Sequence, residues 1–228
     1  MIERIAAYWD DRSASWLKEK EEAWTRPETE QWLAFFKSIR TQTTGNKVLE
    51  VGTATGYFAH IMTLAGFEVT AVDVAPQMIE KARKRSEALQ IDVAYDIMDA
   101  QALQFDDHSF DLVFTRLMTW TIPDLTKCYQ EMQRVLKPGG KLYNFDADFG
   151  KTVFSTDGHE ACADGAITEV NAIKDALDIS KQERPNIDVE VLKGIGFDAV
   201  KVDMHAQNRI LGLPLEQQGL FLIEATKS

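Results

Sequence analysis

Apolar residues in the first part of the chain recur at helical spacing. Ile2, Ile5, Ala6 and Trp9 form one stripe, and Trp16 and Leu17 extend it before a run of Lys and Glu. Pro27 can open a second helix carrying Trp32, Leu33, Phe35, Phe36 and Ile39, and "TTGN" at 43–46 ends it. From Lys47 the pattern changes to short apolar runs separated by amphipathic stretches. Val48–Val51 reads as a strand and Tyr57–Leu64 as a helix. "FEVTAVDV" at 67–74 is β-branched and apolar, and a helix is predicted to start at Pro76. "IDVAYDIMDA" reads as a strand and loop, and "FDLVFTR" at 110–116 as another strand. A helix over 123–136 is predicted to stop at Pro138-Gly139-Gly140, before a strand in "KLYNFDAD".

Strand and helix therefore alternate from 47 to about 149. This rhythm predicts an α/β fold of successive right-handed crossovers, with a parallel sheet covered on both faces. Residues 150–185 are polar and break the rhythm, with a helix expected near 160–180, and they read as an insertion or lid. "NIDVEVLKGIGF" reads as a helix ending in Gly. "FDAVKVDMHA" and "GLFLIEATK" read as two further strands, expected to pair antiparallel across a loop without a helix. The expected organisation is an N-terminal helical cap over 1–44 and one domain over 45–228.

Composition narrows the partners. The 228 residues have 45% hydrophobic and 27% charged content, values ordinary for one folded domain with additions. The net charge of -11 would repel phosphate backbones, so nucleic acid is not expected as the main partner. Cys128 and Cys162 make neither a disulfide framework nor a metal pattern, and no metal is expected. "MIERIAAYWDDRS" turns acidic within a few residues, and no apolar stretch is long enough to span a membrane. A cytoplasmic location without membrane association is the resulting expectation. Oligomeric state is left open.

The chemistry is carried by "KVLEVGTATGYFA" at 47–59. A strand ends at Glu50-Val51, and a loop of small residues leads into a helix. Small side chains let a ligand approach the backbone, and the helix start offers free N–H groups. The dinucleotide pattern G-x-G-x-x-G fails twice, because Ala54 holds the second glycine position and Tyr57 the third. No Gly-Lys-Ser/Thr follows, so the loop is not a phosphate-binding P-loop. Asp73 ends the second strand, 23 positions after Glu50. A carboxylate there can accept both hydroxyls of a ribose. Its alternative role, capping the helix that opens at Pro76, would need a position nearer that helix.

"VLEVGTATGYFA" resembles motif I of the class I S-adenosylmethionine-dependent methyltransferases, with Ala54 in place of the middle glycine. "VTAVDVAPQMIEKAR", "DIMDAQALQFDDHSFDLVFTR" and "VLKPGGKL" resemble later segments of that family, in order, over roughly 45–146. "YWDDRSASW" and "LYNFDADF" resemble a small-molecule branch related to quinone-biosynthesis methyltransferases. The resemblance implies a Rossmann-like, doubly wound, seven-stranded and mostly parallel sheet with the last strand antiparallel. It implies S-adenosylmethionine as cofactor, S-adenosylhomocysteine as product and a small-molecule acceptor.

The cofactor residues it implies are Glu50, Gly52, Thr53, Ala54 and Gly56 in the loop, Asp73 and Val74, Asp99 and Ala100, and Arg116. Glu50 would lie near the donor's ammonium, Asp99 would accept from the adenine amino group, and Arg116 would line the pocket chiefly through its backbone. The competing reading of Asp99 is a solvated loop aspartate.

No motif assigns a catalytic residue. Methyl transfer from a sulfonium releases a neutral thioether, so it needs no acid, and a base is needed only where the acceptor must lose a proton. The amine-methylating Asn-Pro-Pro-Tyr motif is absent after the fourth strand, where Thr115-Arg116-Leu117-Met118 stands. Asp146 and His159 are candidates for catalysis, and Tyr8, Trp9 and Asp146 for substrate contact. The competing readings are a turn aspartate and ordinary helix packing. His205 is placed to reach the substrate mouth, His60 reads as structural and His108 as solvated. Two alternatives stay open: a non-catalytic protein that binds S-adenosylmethionine on the same fold, and an NAD-dependent oxidoreductase.

Overall fold

The computed structural model describes residues 1–155, 164–217 and 219–228. These form a seven-stranded sheet in the order β3-β2-β1-β4-β5-β7-β6. The strands are β1 (Lys47–Val51), β2 (Glu68–Asp73), β3 (Ala94–Ile97), β4 (Phe110–Arg116), β5 (Leu136–Asp146), β6 (Phe197–Asp203) and β7 (Phe221–Lys227). Only β7 runs against its neighbours, β5 and β6. The helices are α1 (Ile2–Trp24), α2 (Pro27–Arg40), α3 (Tyr57–Leu64), α4 (Pro76–Leu89), α5 (Leu125–Val135), α6 (Asp164–Ala176), α7 (Asn186–Gly194) and α8 (Ala206–Leu211). The fold is the doubly wound, mostly parallel sheet that the strand–helix rhythm predicts.

Two apolar cores cover the two faces. Strand alternation sends Leu49 and Val51 into one, with Val113, Leu142, Tyr129 and Leu192. It sends Val48 into the other, with Leu112, Phe114 and Phe145. The N-terminal helices belong to these cores. Trp32 of α2 meets Phe58 and Phe145 edge-on at 5.0 and 5.1 Å, and Phe36 is fully buried. Side chains of this size each contribute about 1.5–3 kcal/mol on burial.

Helix α1 is fastened to α4. Asp10 Oδ1 accepts the N–H of Gln77 at 2.7 Å, which satisfies a first-turn donor that α4 cannot cap itself, because its N-cap is Ala75. Arg85 pairs with Glu21 at 3.4 Å further along.

Two expectations need correction. Helix α5 ends at Val135 and leads straight into β5, so Pro138-Gly139-Gly140 lies inside a strand. The pairing jumps from Phe110↔Leu136 to Leu112↔Lys141, so these residues form a bulge and not a helix stop. The link between β6 and β7 contains α8, whose six residues are too few to show a periodic stripe in sequence. In the polar stretch, α6 starts at Asp164, and a short 3-10 turn follows at Asp178–Lys181.

Candidate active site

Strand register places the site. Val51 pairs with Val72 on one side and Thr115 on the other. Gly52, Asp73 and Arg116 are therefore the next residues outward on three adjacent strands. This is the carboxyl edge where β1 lies between β2 and β4, the switch point at which open α/β sheets hold ligands. A cleft opens there, about 720 Å³ with the open solvent at its mouth included. Gly52, Ala54, Asp73, Val74, Asp99, Ala100 and Arg116 all line it, and Trp9 closes it from α1.

The loop after β1 turns sharply. Gly52, Ala54 and Gly56 all have positive φ, of 78°, 49° and 83°. The N–H groups of Gly52 and Thr53 both reach the carbonyl of Val72, at 2.8 and 3.0 Å. A Cβ on Gly52 would stand 2.5 Å from Met118 Cγ, so the loop and the wall opposite can close only over glycine. A Cβ on Gly56 would collide with the Tyr95 hydroxyl.

Three carboxylates surround this loop. Asp73 Oδ2 accepts the N–H of Ala54 at 2.8 Å, and its Oδ1 accepts that of Ala75 at 3.0 Å. Burial pushes Asp73 up to about 6 against the pull of these amides. Asp99 Oδ1 accepts the N–H and side-chain amide of Gln101 at 2.9 and 3.0 Å, so the acid is held at the cleft wall. Glu50 lies under the loop, 3% exposed, and Thr53 Oγ1 donates to its Oε2 at 2.7 Å. Burial raises Glu50 to about 8, and the nearby charge of Asp73 adds to the rise.

Several expected residues stand elsewhere. Glu50 and Thr53 form the floor of the loop without lining the cleft, and Gly56 packs against Tyr95. Tyr8 points to a second, separate groove between α1 and α6. His205 lies on the outer surface by β6. His60, read as structural, is buried against Ser86 and Tyr95, at 2.8 and 3.1 Å, and burial pulls it down to about 4. His159 lies outside the described residues.

Asp146 does not line the cleft. It is fully buried, and its Oδ2 accepts from Thr119 Oγ1, the Trp120 N–H and Arg184 Nη1 at 2.5, 3.1 and 3.0 Å. Its Oδ1 takes the N–H of Ala147 at 2.8 Å. The carboxyl-edge argument misplaced it because Asp146 is still a paired residue of β5, opposite Phe221, and Arg184 folds back onto it from the far side of the polar stretch.

Sequence reasoning missed much of the apolar wall. Ile2, Ile5 and Trp16 of α1 line the cleft beside Met78, Met98, Leu117, Met118, Thr121 and Ile122. The signal in α1 was visible, since Ile2, Ile5, Trp9 and Trp16 share one helical face. That stripe serves both as core packing and as cleft wall. The stretch after β4 carried no such signal: Leu117 adopts φ 53°, and Thr119–Thr121 is a single 3-10 turn.

Among the described residues, no group of three or more His, Cys, Asp or Glu could hold a metal, and no helix is long and apolar enough to cross a membrane.

Comparison with known proteins agrees with the geometry. Residues 49–144 match the family model described as Methyltransferase domain. The chain is 34% identical over 109 residues to a ubiquinone biosynthesis O-methyltransferase of Xanthomonas oryzae pv. oryzae, over 47% of this chain and 46% of that protein. It is 36% identical over 105 residues to a malonyl-(acyl-carrier protein) O-methyltransferase of Erwinia billingiae, over 46% of this chain and 40% of that protein. The match thus spans less than half the length of these curated relatives. Among solved structures, phosphoethanolamine N-methyltransferase 2 of Haemonchus contortus superposes with a TM-score of 0.62 at 22% identity, over 87% of this chain and 52% of that one, which is a likeness of fold. The chain therefore matches a methyltransferase domain over residues 49–144 and shares the fold of a solved methyltransferase.

Proposed function

We propose that this chain transfers the methyl group of S-adenosylmethionine to a small-molecule acceptor. The observation that carries the reading is the convergence of Asp73, Asp99 and the Gly52–Ala54 turn on one cleft at the switch point. The residues present fit the donor. Gly52 leaves room only for backbone, and Asp73 is held by two amides with acceptor capacity to spare for a ribose. Asp99 offers a fixed acceptor for an adenine amino group, and Val74, Ala100 and Ile122 give that end an apolar wall.

The donor supplies an activated methyl carbon with a neutral leaving group. The protein's part is then to align the acceptor and exclude water. Helix α1 serves the second task, with Ile2, Ile5, Trp9 and Trp16 closing the cleft. Asp146 is locked under Arg184 and is not free to act as a base. The reading therefore favours alignment over proton removal as the main source of rate.

The names of the relatives support an oxygen atom as acceptor, and the malonyl-(acyl-carrier protein) relative brings in an acceptor attached to a carrier. The test is incubation of the protein and a metabolite extract with S-adenosylmethionine carrying a deuterated methyl. Mass spectrometry should find a labelled product and S-adenosylhomocysteine. Binding of the donor with neither product would favour the non-catalytic reading.

A further inference from the structure

One cation at the cleft has no ionic partner. Arg116 ends β4 and lines the cleft, yet among the described residues it makes no ion pair. Its Nε is sealed from solvent without an acceptor. Its one side-chain hydrogen bond is a long one, from Nη2 to the neutral amide oxygen of Gln207 at 3.3 Å. The guanidinium rests over the ring of Phe58 at 5.3 Å. Burial lowers Arg116 to about 10, partly offset by Tyr57, Glu19, Glu28 and Asp146, so it stays charged at neutral pH.

Lys20 of α1 adds to the positive field. Its Nζ lies 4.7 Å from the ring of Trp16, a cleft residue, and it pairs with the adjacent Glu19 at 2.7 Å. In a chain with 36 acidic residues, an arginine left unpaired in a cleft is a costly arrangement unless something anionic arrives.

We propose that the side chain of Arg116, backed by Lys20, is the carboxylate-binding end of the cleft. A planar guanidinium whose one hydrogen bond among the described residues is the long one from Nη2 can turn its Nη edge to two carboxylate oxygens. The inference rests on the methyltransferase reading. The carboxylate is either that of the donor's amino-acid tail or one on the methyl acceptor, and the experiment separates the two.

Calorimetry would compare wild type, Arg116→Gln and Arg116→Lys, each checked for folding by thermal melting. Three probes are used: S-adenosylhomocysteine, 5′-methylthioadenosine (which lacks the tail carboxylate), and malonate added to the protein saturated with S-adenosylhomocysteine. A loss of roughly tenfold or more for S-adenosylhomocysteine in Arg116→Gln, with 5′-methylthioadenosine unchanged, assigns Arg116 to the donor's tail. Unchanged nucleoside binding with loss of saturable malonate binding assigns it to the acceptor. Arg116→Lys keeps the charge without the fork and should restore part of either loss; it also carries the test if the glutamine variant does not fold. Equal weakening of both nucleosides, or no change for any probe, overturns the proposal. Failure of wild type to bind either nucleoside would instead refute the methyltransferase reading, and it would show before any variant is compared.

Discussion

Asp73 Oδ2 accepts the backbone N–H of Ala54 at 2.8 Å, which ties the end of β2 to the turn that leaves β1. The same carboxylate holds the N–H of Ala75 at the start of α4. One side chain thus fixes two walls of the cleft while presenting its remaining lone pairs to a ligand. Asp73→Ala should weaken S-adenosylhomocysteine binding by about 1–3 kcal/mol, the worth of charged hydrogen bonds. Isothermal titration measures this directly, and an unchanged affinity would remove Asp73 from the ribose role.

The buried acids make stability depend on pH. Glu50 is raised from 4.5 to about 8 and Asp73 from 3.8 to about 6. Both hold protons more tightly folded than unfolded, so the native state binds more protons across these windows. Stability is therefore fully present below the unfolded values and falls as pH rises through the folded ones. For one group the slope is at most about 1.4 kcal/mol per pH unit. Glu50→Gln should flatten the fall above the range of Asp73 and stabilise the protein in mildly alkaline solution. Urea unfolding across that range checks it, and parallel slopes in the two proteins would contradict the buried position of Glu50.

Ala54 stands where the related motif has glycine, and it adopts φ 49°. An L side chain in this region costs about 1–2 kcal/mol. Ala54→Gly should relieve part of that strain, offset by the greater freedom of glycine in the unfolded chain. The expected result is a melting temperature unchanged or slightly raised, with cofactor affinity retained. A clear loss of stability would mean that the alanine methyl makes a packing contact worth more than the strain.

Arg184 holds Asp146 and Asp188 together in a buried cluster, bonding Asp188 Oδ2 through Nε at 2.9 Å and Thr119 Oγ1 through Nη2 at 2.7 Å. Tyr129 and Asn144 complete it. Arg184→Met strands two buried carboxylates and should cost about 3–5 kcal/mol in urea unfolding. Arg184→Lys should recover only part, because one ammonium cannot reproduce the forked contacts. A loss below about 1 kcal/mol would show that the cluster is hydrated.

The legible part of this protein is the part written in local pattern. The alternation from Lys47 onward and the small residues at Gly52–Gly56 placed the sheet and its carboxyl edge. Asp73 and Asp99 were legible as candidates because one ends β2 and the other lies two residues past β3, and both line the cleft. Asp146 was misread because its partner, Arg184, is 38 residues away, and no local pattern shows that a strand-end acid is already neutralised. Pro138-Gly139-Gly140 looked like a helix stop because the usual meaning of those residues is a turn, whereas here tertiary pairing to β4 keeps them in a bulged strand. The role of Arg116 was likewise hidden, since a missing ion pair is a property of three-dimensional neighbours.

The most direct test of the central claim is calorimetric titration of the purified chain with S-adenosylmethionine and S-adenosylhomocysteine. The cleft at Gly52, Asp73 and Asp99 predicts saturable binding of both, weakened together in Asp73→Ala. Absence of binding by both from a folded protein would contradict the assignment of the cleft.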